Sequence, residues 1–178
     1  MTGTPMRTLY LLRHAKSDRG NPELSDIERP LAPRGRRDAP AMASYMREHD
    51  YRPHLILCSP AARTRETLAL LQPALGPDIR VEYDRKLYLG SPDALLRRLR
   101  DVDEAVASAL VVGHNPGLER LAAALAPRGD RRALARMREK FPTCGLAVIH
   151  LHIDRWEQTD LGTGTLTDFM VPAGLDED

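Results

Sequence analysis

Cysteine is nearly absent: Cys58 and Cys144 are the two thiols among 178 residues. They are too few for a disulfide framework and stand in no metal-ligand spacing, so the expectation is two reduced, buried thiols in a cytoplasmic protein. Aromatic residues are scarce as well, at 4%, which leaves the core to Leu, Val, Ile and Ala. No apolar run approaches the roughly 18 residues needed to cross a bilayer, and the first seven residues lack the apolar stretch of a secretory signal. An excess of one charge is also lacking. The net charge of +1 gives no general case for nucleic acid or an anionic membrane as partner. With no internal repeat, low-complexity tract or linker, residues 1–178 are expected to form a single domain.

Aliphatic runs with β-branched residues or alternation stand at residues 8–12, 55–58, 79–83, 109–112, 146–151 and 166–171, and each reads as a strand. Between most of them, residues 33–48, 61–75, 92–99, 118–125 and 131–139 repeat apolar positions three and four apart, as amphipathic helices do. This alternation predicts an α/β fold, a three-layer α/β/α sandwich with a mostly parallel central sheet. The last two strands are joined by a polar stretch, residues 154–164, with two glycines and no helical pattern. They are expected to form an antiparallel pair.

In open parallel sheets ligands bind beyond the carboxyl ends of the strands. The first strand is followed by Arg13, His14, Ala15, Lys16 and Ser17, the second by Ser59, Pro60 and Arg63, and the fourth by Gly113, His114, Asn115, Pro116 and Gly117. Ser59 reads as an N-cap of the helix that follows it. A single histidine at a strand end is more often structural than catalytic, and His49, His54, His150 and His152 are assigned to that class. Two arginines and two histidines at three corresponding strand ends form a different case. Guanidinium forks suit phosphate, and a neutral imidazole beside them keeps a lone pair able to attack phosphorus. A divalent metal fits poorly, because Arg13 and Arg63 would repel it and no acid or thiol stands at ligand spacing from either histidine.

At these residues the chain resembles the histidine phosphatase superfamily, which includes phosphoglycerate mutases, and within it the short phosphohistidine phosphatases of the SixA type. The resemblance rests on an ordered series. Leu11-Leu12-Arg13-His14 opens it, followed by Glu28-Arg29-Pro30-Leu31 with Arg34-Gly35. Ser59-Pro60 with Arg63 and Glu66-Thr67 comes next, then Val112-Gly113-His114-Asn115-Pro116-Gly117 and the closing segment from Leu166 to Pro172. It implies that His14 is the nucleophile, transiently phosphorylated, while Arg13, Arg63 and His114 surround the phosphoryl oxygens. It implies neither a metal nor another cofactor. Neutral His14 needs an acceptor for the proton on its other ring nitrogen, and a backbone carbonyl is expected there. Lys16 and Ser17 are candidate phosphate donors, with a solvated loop as the alternative.

Two departures stand out. The superfamily's common Arg-His-Gly is here Arg13-His14-Ala15, a change expected to leave activity intact. Relatives that act on phosphate monoesters place a carboxylate general acid after the third strand, where this chain offers Asp84, with Glu82 upstream. Either acid could equally be a surface residue paired with neighbouring cations. An alkoxide leaves badly without a proton and imidazole leaves easily, so a weak acid favours phosphohistidine on a protein as substrate. A small phosphate ester is the alternative substrate, and a catalytically silent phosphate-binding module the alternative function. The interval between Arg63 and His114 has room for no lid. Cys58 is not a phosphatase nucleophile, since such loops need about five residues between Cys and Arg and Cys58 and Arg63 enclose four. The basic run Arg128, Arg131, Arg132, Arg136, Arg138 and Lys140 is either a solvated helix face or a docking patch for an acidic partner.

Overall fold

The computed structural model describes residues 5–175, so the first four residues of the opening segment lie outside the described residues. The strands are β1 (Arg7–Arg13), β2 (Leu55–Cys58), β3 (Arg80–Tyr83), β4 (Ser108–Gly113), β5 (Arg128–Gly129), β6 (Leu146–Leu151) and β7 (Gly164–Met170), and all but β5 follow the aliphatic runs. The helices are α1 (Pro33–Glu48), α2 (Ala62–Leu75), α3 (Pro92–Arg100), α4 (Gly117–Leu125), α5 (Arg131–Glu139) and the single turn α6 (Pro172–Leu175). All seven strands form one sheet in the order β3-β2-β4-β1-β6-β7-β5. β1 and β4, β2 and β4, β2 and β3, and β5 and β7 pair in parallel. β6 pairs antiparallel with both β1 and β7 and is the one reversed strand among the described residues.

Successive strand residues point to opposite faces of the sheet, so continuous aliphatic runs supply two cores at once. Leu9, Leu11, Leu55, Leu57, Ala109 and Val111 face α3, α4 and α5. Tyr10, Leu12, Ile56, Cys58, Leu110 and Val112 face α1 and α2. Burying a leucine in this way contributes about 2 kcal/mol, and the leucines of both layers are almost fully enclosed. The three layers therefore follow from central strands whose apolar residues point to both faces.

Three short features escaped the periodicity. Two residues, Arg128–Gly129, are too few to display a strand's alternation, yet they add the edge strand β5 beside Thr165 and Leu166. β7 begins at Gly164, where a Cβ would lie 2.6 Å from the Ile149 side chain. In the polar stretch before it, Trp156–Gln158 form a 3-10 turn, and the only tryptophan is fully buried there, its indole N–H donating to the Val106 carbonyl at 2.7 Å.

Candidate active site

The parallel register places β1, β4 and β2 side by side, with Arg13 opposite Gly113 and Cys58 opposite Val112. One residue further on, the three chains release His14, His114 and Ser59 at the same edge. Backbone bonds continue the ladder across this point, from His14 N–H to the Gly113 carbonyl at 3.1 Å and from Ser59 N–H to the Val112 carbonyl at 3.1 Å. Because β6 runs the other way, its beginning lies at this edge. The Cys144 N–H reaches the carbonyls of Arg13 and His14, and the Arg13 N–H donates to Gly145. The nucleophile candidate is thus pinned on both flanks.

The rings of His14 and His114 lie 5.3 Å apart between centroids, and both side chains are buried, at 7% and 4% exposure. His14 Nδ1 stands 2.7 Å from the Ala15 carbonyl. A carbonyl only accepts, so the proton is on Nδ1 and Nε2 keeps its lone pair. Burial pushes the His14 imidazole down to about 4; the Ala15 bond works against this, and the charges of Arg63, Arg13 and Arg29 reinforce it. His114 is pushed down to about 3 by burial first and then by Arg63 and His14. Both rings are neutral at physiological pH.

His114 Nε2 lies 2.7 Å from Ser59 Oγ. That oxygen also accepts from the Ala61 N–H at 3.3 Å and has no other acceptor among the described residues. Its hydroxyl proton is available to His114 Nε2, and when Nε2 accepts it the ring proton of neutral His114 sits on Nδ1. His114 Nδ1, Arg13 Nε and Arg63 Nε are buried and have no hydrogen-bond partner among the described residues. Ser59 does not cap the helix as the sequence predicted: the N-cap position of α2 is Ala61, without a side-chain bond. The serine orients a histidine instead.

Arg63, with 3% of its side chain exposed, donates from Nη1 to the Asp26 carbonyl at 2.7 Å and from Nη2 to Asp26 Oδ2 at 3.0 Å. Asp26 also accepts from the Tyr88 hydroxyl and from Arg29 Nε. The Tyr88 bond is the largest effect, and with the bonds from Arg63 and Arg29 it outweighs the opposing effect of burial, so this carboxyl is held well below the usual carboxylate range. Arg29 Nη1 donates to Ser17 Oγ at 2.9 Å, which joins the buried Ser17 to the same network. Tyr88 stands edge-on to His114, with centroids 5.5 Å apart. Thr67 links α2 to the loop after β1, donating to the Arg63 carbonyl at 2.7 Å and accepting from Ala15 N–H at 3.0 Å. Ala15 itself is fully buried in the core layer under α1 and α2.

Arg13, His14, Arg63 and His114 are thus brought together, with Ser17 at the margin. The other two candidates are placed differently. Lys16 is exposed, and its carbonyl accepts from Ala32 N–H. Asp84 caps the 3-10 turn after β3 and pairs with Arg98 Nε at 2.9 Å, while Glu82 pairs with Arg98 and Arg80. α3 carries that arginine and draws both acids to itself. Cys58 is fully buried in the α1 and α2 layer, where its thiol is pushed up to about 12 by burial. Sequence reasoning missed Asp26 and Tyr88. Asp26 lies in the loop just ahead of the Glu28-Arg29-Pro30-Leu31 motif, and that position was its only available signal.

Fold and site together define an α/β protein that gathers two neutral histidines and two arginines at the carboxyl edge of a mostly parallel sheet, an arrangement suited to a phosphoryl group. The family model described as histidine phosphatase superfamily (branch 1) matches residues 9–88. An uncharacterized protein of Mycobacterium leprae is 36% identical over 165 residues, covering 90% of this chain and 99% of that one. Among solved structures, SixA from Agrobacterium tumefaciens is 33% identical, with a TM-score of 0.79 over 96% of this chain and 100% of that one. The protein histidine phosphatase SixA in complex with tungstate is 26% identical, with a TM-score of 0.77 over 95% and 99%. The chain belongs to the histidine phosphatase superfamily.

Proposed function

We propose that this phosphatase removes the phosphoryl group from phosphohistidine on a protein, by way of a phosphorylated His14. The observation that carries the reading is the state of the carboxylates. Asp26, the carboxylate that touches Arg63, accepts from Tyr88, Arg63 and Arg29 and is held ionised, and Asp84 is engaged by Arg98. Neither is poised to give a proton to a leaving alkoxide. An imidazole leaving group makes far less demand on a general acid.

In this reading His14 Nε2 attacks phosphorus as the P–N bond to the substrate imidazole breaks, and the released ring takes its proton from solvent. Water then attacks the phosphorus bonded to His14, returning the Nε2 lone pair and releasing inorganic phosphate. Arg13, Arg63 and His114 face charge that spreads over the three equatorial oxygens, and preorganised donors at those oxygens supply most of the catalysis.

A protein substrate is further supported by the surface. Arg128, Arg131, Arg132, Arg136 and Lys140 are exposed and form no ion pair among the described residues. α5 leads through Lys140 into Phe141, whose carbonyl accepts from Arg13 Nη1 at 3.1 Å, so the C-terminal end of this helix adjoins the site. Cys58 and Cys144 are free and buried, in keeping with a reducing, cytoplasmic setting. A side-by-side turnover panel of phosphohistidine peptides, phosphoserine peptides and small phosphate esters tests the proposal, with His14→Ala as control. Preference for the phosphohistidine peptide is the expected result. Faster turnover of esters would overturn the substrate assignment, and no turnover of any member would mark a silent binding module.

A further inference from the structure

A guanidinium offers hydrogen bonds along distinct edges, one between the two terminal nitrogens and one between Nε and Nη2. In Arg63 the terminal edge is already occupied, by the carbonyl and the carboxylate of Asp26 at 2.7 and 3.0 Å. Nε is buried and has no partner among the described residues. Asp26 in turn is held from three sides, by Arg63, by Tyr88 from the segment after β3, and by Arg29 from its own loop. Its 3-10 turn is closed by Ser25 and Glu28, which bond to each other.

We propose that Asp26 is a positioning residue for phosphoryl transfer: by holding the terminal edge of Arg63, it turns the Nε–Nη2 edge to the phosphoryl group as a bidentate fork. The proposal rests on the reading of the His14 site as a phosphoryl site. Asp26 acts through Arg63 and does not touch the reacting atoms. Tyr88 and Arg29 keep the carboxylate in register, so a loop far from β2 in sequence sets the angle of an arginine on α2. The chemical consequence runs against simple electrostatics. A carboxylate near an anion site should weaken anion binding, whereas this one strengthens it by orienting a cation.

That opposition makes the test decisive. Tungstate affinity is measured by calorimetry on the full chain for wild type, Asp26→Asn, Arg63→Ala and the double variant, together with kcat and KM on a phosphohistidine peptide. The expected result is a loss of tungstate affinity in Asp26→Asn of about tenfold or more, despite removal of a negative charge. In the Arg63→Ala background the same substitution should change affinity by less than about twofold. Tighter tungstate binding in Asp26→Asn, or equal losses in both backgrounds, would overturn the proposal. Asp26→Glu keeps the charge and shifts its reach, and restoration of wild-type affinity by it would overturn the geometric part. Labelled phospho-His14 in wild type is read in the same series. Its absence would sink the phosphatase reading, whereas unchanged tungstate affinity in Asp26→Asn would sink this inference alone.

Discussion

Ser59 Oγ and His114 Nε2 meet at 2.7 Å across the ends of β2 and β4, 55 residues apart in the chain. Donation of the Ser59 hydroxyl proton to Nε2, with the Ala61 N–H bonded to the same oxygen, selects the Nδ1–H tautomer of His114. Ser59→Ala should release that tautomer and lower kcat about tenfold with little change in KM. Nitrogen NMR of the His114 ring should show the Nδ1–H form in wild type and a tautomer mixture in the variant.

The depressed imidazoles of His14 and His114 set a pH dependence with a definite sign. Both start from an ordinary value of 6.5 and fall to about 4 and about 3 in the folded chain. Well above pH 6.5 both are neutral whether folded or unfolded, and their contribution to stability is constant. Below it the unfolded chain takes up protons first, so stability falls as the pH drops toward 4, by up to about 1.4 kcal/mol per pH unit for each ring. Denaturant titrations from pH 7 to 4.5 should show the loss, and His14→Gln should show a smaller slope. Phospho-enzyme formation from an aryl phosphate should stay flat between pH 5.5 and 8 as far as protonation of His14 in the free enzyme governs it.

Gly35, in the first turn of α1, carries a close approach to the loop that holds the candidate nucleophile His14. A Cβ there would lie 2.2 Å from the Lys16 carbonyl oxygen, two residues beyond His14. Gly35→Ala must push that backbone away, which should cost about 2 kcal/mol of stability and lower kcat/KM at least tenfold. Denaturation midpoints and steady-state kinetics on one preparation check both effects.

Charge reversal on α5 separates a protein substrate from a small one. Arg131→Glu with Arg132→Glu changes an exposed pair that forms no ion pair among the described residues and should lower kcat/KM for a phosphorylated protein several-fold, more at low salt than at high salt. Turnover of a small phosphoramidate should be unchanged. Equal rates on the protein substrate would assign this face to solvent alone.

Cys58 offers a control on the nucleophile. Its thiol is buried and pushed up to about 12, so it is protonated at working pH and shielded from substrate. Cys58→Ser should keep most of the activity, and His14→Ala should remove labelled phospho-enzyme altogether.

The aliphatic runs made the sheet legible because the central ones, such as Leu55–Cys58, are continuously apolar and the outer ones alternate, and either pattern survives whatever the strands pair with. β5 was illegible for the opposite reason, as two residues contain no period. Arg13, His14, Arg63 and His114 were legible because each stands at or shortly after the end of a strand, and parallel register converts such positions into neighbours. Asp26 follows no strand. Its role depends on a loop folding back onto α2 and onto Tyr88, a relation between positions 26, 63 and 88 that no local pattern encodes. Ser59 was visible as a residue and misread in role. A serine before a helix usually caps it, and the stronger competitor, His114, lies 55 residues away. Asp84 was likewise visible, but α3 had still to supply Arg98 before its engagement could be known.

The reversal of β6 sets a schedule for the growing chain. Arg13 is emitted from the ribosome early, yet its backbone and side chain bond to Phe141, Cys144 and Gly145. A nascent chain stopped before those residues carries all four candidate site side chains without the segment that pins the loop beneath them. Competence therefore arrives late in synthesis, long after the chemistry-bearing residues have been made. A chain truncated near residue 135 should be inert even though Arg13, His14, Arg63 and His114 are all present.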